Sequence, residues 1–241
     1  LRKLQNEEYV YLLESVEGGE KWGRYSFIGT GASLIFRVQD AQVIIEKQGE
    51  IRTVEHEGRP LDLLREMLAR YRPVATPGLP RFFGGAVGYL GYDMVRYFEK
   101  LPAPPPDDLH LDDAVFVMSD ALIIFDNRRH TIKVVACSFT EEAKYPKDAY
   151  EAACRKIDEM VNLLSAPARK TEVVTPAEAE PFVPDMTPEE FKQKVKKAQE
   201  YVAAGEAIQV VLSQRFSAAC HTDAVDLYRG LRYINPSPYL F

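Results

Sequence analysis

The sequence predicts an α+β fold with mainly antiparallel β-sheets. Two stretches, 24–55 and 114–139, carry strand patterns broken by short turn signals, and a helical pattern follows each of them. Strands grouped in this way, without regular alternation of strand and helix, favour α+β over a parallel α/β architecture. The 241 residues are 46% hydrophobic and 27% charged, so the chain has enough apolar side chains to bury a core.

The first strand region alternates apolar and polar positions, as in "SLIFRVQ" and "QVIIEKQGEIRTVE". Successive side chains of a strand point to opposite faces, so this alternation indicates strands with one buried face. Gly49, beside Gln48, tolerates positive φ between the last two runs. We therefore predict an antiparallel hairpin that turns at these two residues.

A helix is predicted in "RPLDLLREMLARYR", which follows this hairpin. Its apolar residues recur at the i, i+3, i+7 and i+10 spacing of one helical face: Leu61, Leu64, Leu68 and Tyr71. Pro73 and Pro77 end the pattern.

Four glycines punctuate "FFGGAVGYLGYDMVRYFEKLP", at positions 84, 85, 88 and 91. Their spacing is not the GxGxxG of a dinucleotide-binding turn, although a nucleotide site stays open as an alternative. We interpret the glycines as letting a strand pass close to another element, before a short helix near Tyr92 to Phe98.

The second strand region contains two runs, 114–126 and 131–139, which are predicted to form a hairpin through Asn127 to His130. A helix is predicted to close this unit in "KDAYEAACRKIDEMVNLLS". Its apolar residues are in helical register: Tyr150, Ala153, Ile157, Met160, Val161 and Leu164.

Residues 166–185 are rich in proline, alanine and charge and lack periodicity, so they are predicted to be a linker between a domain at 1–165 and a segment at 186–241. Thr187 and Glu190 match a capping box at the start of the next helix, and Gly205 is a natural stop for it.

A strand is predicted in "AIQVVLSQRFS", with a core face on one side. The apolar face holds Ile208, Val210, Leu212 and Phe216. The opposite face, which includes Gln209, is polar without being highly charged. It fits a cavity lining or an ordinary solvent-facing surface, and both interpretations stay open.

The net charge of −6 and pI near 5.4 provide no basic field for nucleic acid. The three cysteines, Cys137, Cys154 and Cys220, have no metal-ligand spacing and fit free thiols in a reducing cytoplasm. No apolar run reaches the roughly 18 residues of a membrane span, so we expect a cytoplasmic protein. The start at Leu1 without methionine and the apolar end "NPSPYLF" suggest a fragment.

The sequence contains no complete active site by motif: it has no HExxH, EF-hand or Walker loop. No catalytic triad is evident, because the four histidines lie in polar or turn contexts and are interpreted as surface residues. They are His56, His110, His130 and His221.

A polar cluster in an otherwise apolar stretch, "YLLESVEGGEKWGRYSFIG", is the strongest candidate for a site. A buried Glu14 beside Ser15 needs a partner, which could be Lys21, Arg24 or the ammonium group of a ligand. An intramolecular salt bridge is the simpler alternative. In "NPSPY", at 235–239, two prolines fix the backbone and leave carbonyls free to accept hydrogen bonds from an amine, unless the segment is only a tight turn.

Four motifs together, "LLESVEGGEKWGRYSFIG", "FFGGAVGYLGYD", "GEAIQVVLSQRF" and "INPSPYLF", resemble component I of anthranilate synthase, a chorismate-utilising enzyme family. The resemblance covers the whole chain and corresponds to the N-terminal half of that family. It implies two packed, mainly antiparallel sheets flanked by helices, completed by strands from the other half. It also implies that 1–165 is a regulatory domain and that 186–241 begins the chorismate-binding domain.

The resemblance further implies a feedback site for tryptophan, in which the "LLES" and "NPSPY" segments meet. Lys21 and Trp22 are further candidate contacts. The implied ligand-binding residues are Leu13, Glu14, Ser15, Arg24, Asn235, Pro236, Ser237 and Tyr239.

Family members convert chorismate to anthranilate and pyruvate with Mg²⁺ and with ammonia from a glutamine amidotransferase partner. The resemblance places the magnesium ligands and most catalytic residues in the half that this chain lacks. Gln209 occupies the position where water-adding relatives carry a lysine base, and glutamine cannot abstract a proton at neutral pH, which favours ammonia as the nucleophile. Three alternatives stay open: aminodeoxychorismate synthase component I of the folate pathway, a non-catalytic tryptophan-binding module, and an inert fragment.

Overall fold

A computed structural model of the chain describes residues 1–4, 8–14, 23–119, 121–140, 143–167 and 180–241. The chain folds into two compact units. The first comprises Leu1–Arg169 with Arg229–Phe241, and the second comprises Lys170–Tyr228.

The first unit contains nine strands and the helices that cover them, within the part of the chain that the structure describes. The strands are β1 (Val10–Leu13), β2 (Tyr25–Thr30), β3 (Leu34–Gln39), β4 (Gln42–Lys47), β5 (Glu50–Glu55), β6 (Ala86–Leu90), β7 (Ala114–Met118), β8 (Ala121–Asp126) and β9 (Thr131–Ala136). The helices are α1 (Pro60–Ala69), a 3₁₀ helix (Tyr92–Tyr97) and α2 (Pro146–Ser165).

Five of these strands form one antiparallel sheet in the order β5-β4-β3-β7-β6. Phe36 and Val38 of β3 and Val43 of β4 are fully buried where α1 and the 3₁₀ helix cover the sheet. The predicted hairpin turn is confirmed, because Gln48 and Gly49 have φ of 53° and 82° between β4 and β5. Two successive positive φ values suit a tight two-residue turn between twisted strands.

The other four strands form a second antiparallel sheet in the order β1-β2-β8-β9. Leu4, Ile28 and Ile123 are buried between this sheet and Met160 of α2. Both sheets are thus antiparallel and flanked by helices, which confirms the predicted α+β fold class.

The run 114–126, predicted as one strand, is two strands that belong to different sheets. It is interrupted at Ser119, after which β8 pairs with β2 instead of continuing beside β3. The predicted hairpin is correct for its second part, since β8 pairs with β9. A period-two pattern alone does not reveal such a change of sheet, because both strands are apolar.

The glycine-rich segment forms β6, at an edge of the five-stranded sheet. Gly88 lies opposite Phe116 of β7, and a Cβ atom at this position would lie 1.8 Å from the carbonyl oxygen of Val115. The prediction that glycine permits a close approach is therefore confirmed, and the approaching element is the neighbouring strand.

His56 is buried, so its assignment to the surface is wrong. Its Nδ1 accepts a hydrogen bond from the Gly58 N–H at 3.0 Å, and its Nε2 lies 2.8 Å from the Asp40 carbonyl oxygen. Its ring also packs edge-on against Tyr97. The imidazole therefore links backbone groups of two turns, one between β3 and β4 and the other between β5 and α1, which is a structural role.

The second unit contains a short antiparallel pair, β10 (Val183–Pro184) with β11 (Phe216–Ser217), and helix α3 (Pro188–Ala203). The predicted capping box is present: the Thr187 hydroxyl accepts from the Glu190 N–H at 3.3 Å, and the Thr187 N–H donates to the Glu190 carboxylate at 2.7 Å. Gly205 has a φ of 79° after the helix, as expected for a helix stop. A last helix, α4 (Ala224–Ile234), begins in this unit and ends in residues assigned to the first.

The predicted strand in "AIQVVLSQRFS" is wrong except at Phe216 and Ser217. Ile208, assigned to a core face, is 100% exposed. A strand pattern becomes a strand only where another strand accepts its backbone hydrogen bonds, and in the described residues β10 supplies such a partner only at the end of this segment.

The predicted linker at 166–185 lies largely outside the described residues, and its last part contains β10. Residues 229–241 group with the first unit rather than with the segment that starts at 186. The domain assignments made from the sequence otherwise stay predictions.

Candidate functional site

The end of β1 meets the C-terminal segment inside the first unit. Glu14, next to β1, forms an isolated antiparallel bridge with Leu240. Each residue donates its N–H to the carbonyl oxygen of the other at 2.9 Å. Glu14 of the "LLES" motif and Leu240, the residue directly after "NPSPY", therefore lie side by side although they come from near the two ends of the sequence.

The Glu14 side chain is only 10% exposed and forms an ion pair with Arg232 of α4, whose Nε lies 3.2 Å from Oε1. A carboxylate withdrawn from water needs such a partner, because desolvation of an unpaired charge is costly. The guanidinium side chain is 46% exposed and keeps part of its hydration.

Sequence reasoning missed Arg232. The signal was the apolar spacing of α4, which places an arginine in the last helical turn, just before Asn235. Had this helix been predicted, a cation at that end of it would have been a candidate partner for a nearby carboxylate.

Arg24, another predicted ligand-binding residue, is paired with Asp126 of β8. Its Nε and Nη2 atoms lie 3.2 and 2.9 Å from the two carboxylate oxygens, and its guanidinium stacks on the Tyr25 ring at 4.7 Å. Asp126 is buried and also accepts the Arg129 N–H. Arg24 thus pairs with Asp126, whereas the intramolecular salt bridge considered for Glu14 is formed with Arg232, and the role of Arg24 in binding a ligand stays a prediction.

The "NPSPY" segment begins directly after α4, where the Asn235 N–H donates to the Leu231 carbonyl at 2.9 Å. The Ser237 hydroxyl accepts the Tyr239 N–H at 3.3 Å, a local turn contact. Tyr239 is 71% exposed. Most of this residue is therefore in contact with solvent.

The structure brings only some of the predicted ligand-binding residues together. It brings Glu14 beside the segment that contains Asn235, Pro236, Ser237 and Tyr239. Leu13 pairs with Phe27 across β1 and β2 and is half-buried. Ser15, Lys21 and Trp22 lie outside the described residues.

Gln209 lies in the second unit, exposed and outside any strand. An open apolar groove of about 510 Å³ lies between α3 and the segment that contains Val210 and Leu212. Gln209 does not line this groove. The groove residues are Phe191, Val195, Ala198, Gln199, Val202, Ala203, Val210 and Leu212. The role of Gln209 at an active site stays a prediction.

Among the described residues, no group of three or more His, Cys, Asp or Glu side chains is placed to hold a metal ion. The Mg²⁺ implied by the sequence resemblance, with its ligands in the half that this chain lacks, stays a prediction. Cys137, Cys154 and Cys220 are not joined in disulfide bonds. No described helix has both the length and the apolar character needed to cross a membrane.

The Arg24–Asp126 pair makes the stability of the first unit pH-dependent. The hydrogen bond from Arg24 is the main cause that lowers the pKa of Asp126, and the Arg129 N–H lowers it further, against the opposing effect of burial. A carboxyl group with a lower pKa in the folded state stabilises the fold above its unfolded pKa of about 3.9, and this stabilisation is lost as pH falls through the folded pKa.

Asp126→Asn should therefore weaken the dependence of stability on pH in the acid range. We expect a lower urea midpoint than that of the wild type near neutral pH and a shallower loss between about pH 4 and pH 2. Asp158→Asn, on the exposed face of α2, is the control and should follow the wild-type curve. Equal acid slopes for Asp126→Asn and the wild type would contradict this account of the pair.

Comparison with known proteins gives consistent matches over nearly the whole chain. A family model described as chorismate binding enzyme matches residues 10–241. The anthranilate synthase component 1 of Aquifex aeolicus (strain VF5) is 39% identical over 245 residues, which cover 100% of this chain and 49% of the relative. The protein of the same name from Pseudomonas aeruginosa is 40% identical over 246 residues, covering 99% and 49%.

The fold is also similar to a solved structure. The crystal structure of anthranilate synthase component I from Streptococcus pneumoniae TIGR4 matches with a TM-score of 0.75 and 27% identity, covering 94% of this chain and 49% of that chain. The chain thus spans about half the length of the curated relatives it matches.

Proposed function

The chain belongs to the family of chorismate binding enzymes, and we propose that it is the N-terminal part of an anthranilate synthase component I. This membership confirms the resemblance seen in the four sequence motifs. The observation that carries the proposal is identity of 39% and 40% to two relatives of that name, extending over essentially all of this chain.

The proposed reaction converts chorismate and ammonia to anthranilate and pyruvate. In this proposal a glutamine amidotransferase partner supplies the ammonia, and Gln209 lines the chorismate site. Because a glutamine amide has no basic lone pair at neutral pH, it cannot generate hydroxide from water. A site with glutamine at this position therefore favours an amine nucleophile that needs no deprotonation by the side chain.

The proposed regulation is feedback inhibition by L-tryptophan at the junction of β1 with the C-terminal segment. An amino-acid zwitterion needs an acceptor for its ammonium group, donors for its carboxylate and an apolar slot for its indole. Glu14 supplies a charged acceptor, and the adjoining "NPSPY" segment supplies carbonyls and an aromatic ring. What supports this site is the pair of Glu14–Leu240 backbone hydrogen bonds, which join the end of β1 to the residue that follows "NPSPY".

A second candidate is a non-catalytic tryptophan-binding module. It is favoured because Glu14 and Leu240 both belong to the first unit, whereas Gln209 belongs to the second. The two candidates share the regulatory site and differ in turnover.

Calorimetric titration of the chain with L-tryptophan, together with a turnover assay, tests the proposal. Because most catalytic residues are expected in the half that this chain lacks, the assay contains the C-terminal half of an anthranilate synthase component I together with chorismate, ammonium and Mg²⁺, and product identification separates anthranilate from aminodeoxychorismate. Binding with formation of anthranilate supports the proposed enzyme. Binding without turnover supports the module, and the absence of both would overturn the proposal.

A further inference from the structure

Residues 229–241, the C-terminal part of the first unit, contact Glu14 at two independent points. Leu240 holds its backbone through two hydrogen bonds of 2.9 Å, and Arg232 holds its carboxylate at 3.2 Å. Both groups come from residues 229–241 of the first unit. The backbone bonds fix where the residue lies, whereas the side-chain contact fixes where the carboxylate points.

The need for this second contact follows from the chemistry of a glutamate side chain. Glutamate has three rotatable bonds, so a fixed backbone leaves its carboxylate several staggered positions. Restricting that freedom before a ligand arrives lowers the entropy lost on binding. Arg232 is anchored in a helix, and its charged contact therefore selects among the positions of the carboxylate.

The alternative cation predicted from the sequence, Arg24, is engaged elsewhere. Its two contacts to the buried Asp126 occupy the guanidinium fork. Leaving Asp126 for Glu14 would abandon a buried carboxylate, which is strongly unfavourable. Arg232, whose Nε lies 3.2 Å from Oε1, is consequently an arginine that does pair with Glu14.

We infer that Arg232 is a positioning residue for the amino-acid site: it orients the Glu14 carboxylate to accept the α-ammonium group of the ligand. This inference rests on the proposed function, because it names how the regulatory site distinguishes an amino acid from other indole compounds. Arg232 does not itself contact the ammonium group, which carries the same sign of charge. It acts through Glu14.

The inference predicts a loss of selectivity rather than a general loss of binding. L-Tryptophan and indole-3-propionate share the indole and the carboxylate, but only tryptophan has the ammonium group. Arg232→Gln should weaken L-tryptophan binding about tenfold, the range of one charge-assisted hydrogen bond. Binding of indole-3-propionate should change less than about twofold, since it makes no use of the oriented carboxylate.

The experiment is calorimetric titration of both compounds into the wild-type chain, Arg232→Gln, Arg232→Lys and the control Arg155→Gln. Arg155 lies on the exposed face of α2, and its variant should match the wild type. Arg232→Lys retains a cation in the same helical turn and should recover most of the selectivity. Urea unfolding of each variant shows whether the fold is retained.

The outcomes separate this inference from the function on which it rests. A wild-type preference for tryptophan that falls in Arg232→Gln and returns in Arg232→Lys supports the positioning role. An equal loss of both compounds, an unchanged preference or a stronger affinity for tryptophan in Arg232→Gln would overturn it alone. A wild-type chain that binds neither compound overturns both the inference and the proposed regulatory site.

Discussion

Replacing Gly88 with alanine is expected to destabilise the first unit by roughly 3 kcal/mol or more, at or beyond the upper end of what overpacking typically costs. The added Cβ would lie 1.8 Å from the Val115 carbonyl oxygen and 2.7 Å from the Phe116 Cα. Both are backbone atoms, so no side-chain rotation relieves the clash. The β6–β7 pairing must open or shift, and Met94 and Met118 of the same core depend on that sheet.

Urea unfolding followed by circular dichroism measures this effect, and Gly230→Ala is the matched control. A Cβ at Gly230 would meet nothing within 4 Å, and alanine inside helix α4 is expected to be neutral or favourable by up to about 1 kcal/mol. A Gly88→Ala midpoint equal to that of Gly230→Ala would show that β6 does not approach β7 as described.

Glu14→Gln is expected to weaken L-tryptophan binding by about 10-fold to 100-fold. The amide retains the size of the carboxyl group but removes the negative charge, and a hydrogen bond to a charged group contributes about 1.5–3 kcal/mol. The loss of the ion pair should change folding stability less, because Arg232 is 46% exposed and can be rehydrated.

Calorimetry with Glu159→Gln as the control measures this change. Glu159 lies exposed on α2, so its variant should bind as the wild type does. Unchanged affinity in Glu14→Gln would mean that Glu14 does not receive the ammonium group, whatever else binds near it.

Features of the fold that depend on neighbouring residues could be predicted from the sequence. The turn at Gln48 and Gly49 follows from Gly49, because glycine adopts positive φ readily, and the Thr187 capping box involves atoms only three positions apart. The sequence could show that Gly88 permits a close approach to another element. It could not show that this element is β7, because β7 begins 24 residues after β6 ends.

Features that depend on distant partners could not be derived in this way. The apolar run 114–126 divides between two sheets, and Ile208 is exposed although its pattern matched a buried strand face. His56 is buried because the Asp40 carbonyl and the Gly58 N–H meet its ring after folding. A sequence pattern shows periodicity, whereas the burial of a residue depends on which other residues pack against it in the folded chain.

The same distinction between neighbouring and distant partners applies to the candidate site. Glu14 was recognisable as a carboxylate that needs a partner, but local sequence offered Lys21 and Arg24 and gave no reason to choose Arg232. The meeting of Glu14 with the "NPSPY" segment was expected from the resemblance alone, since no physical argument from the sequence joins residues near opposite ends of a chain. The structure adds the atoms that join them.

Hydrogen exchange at the Glu14 and Leu240 amides tests most directly whether these two segments form one amino-acid site. Each amide donates at 2.9 Å to the carbonyl of the other, so both should exchange slowly in the free chain. Saturating L-tryptophan should slow both together, because a ligand that binds only the joined segments suppresses their separation. Fast exchange at both amides that tryptophan leaves unchanged would contradict the account.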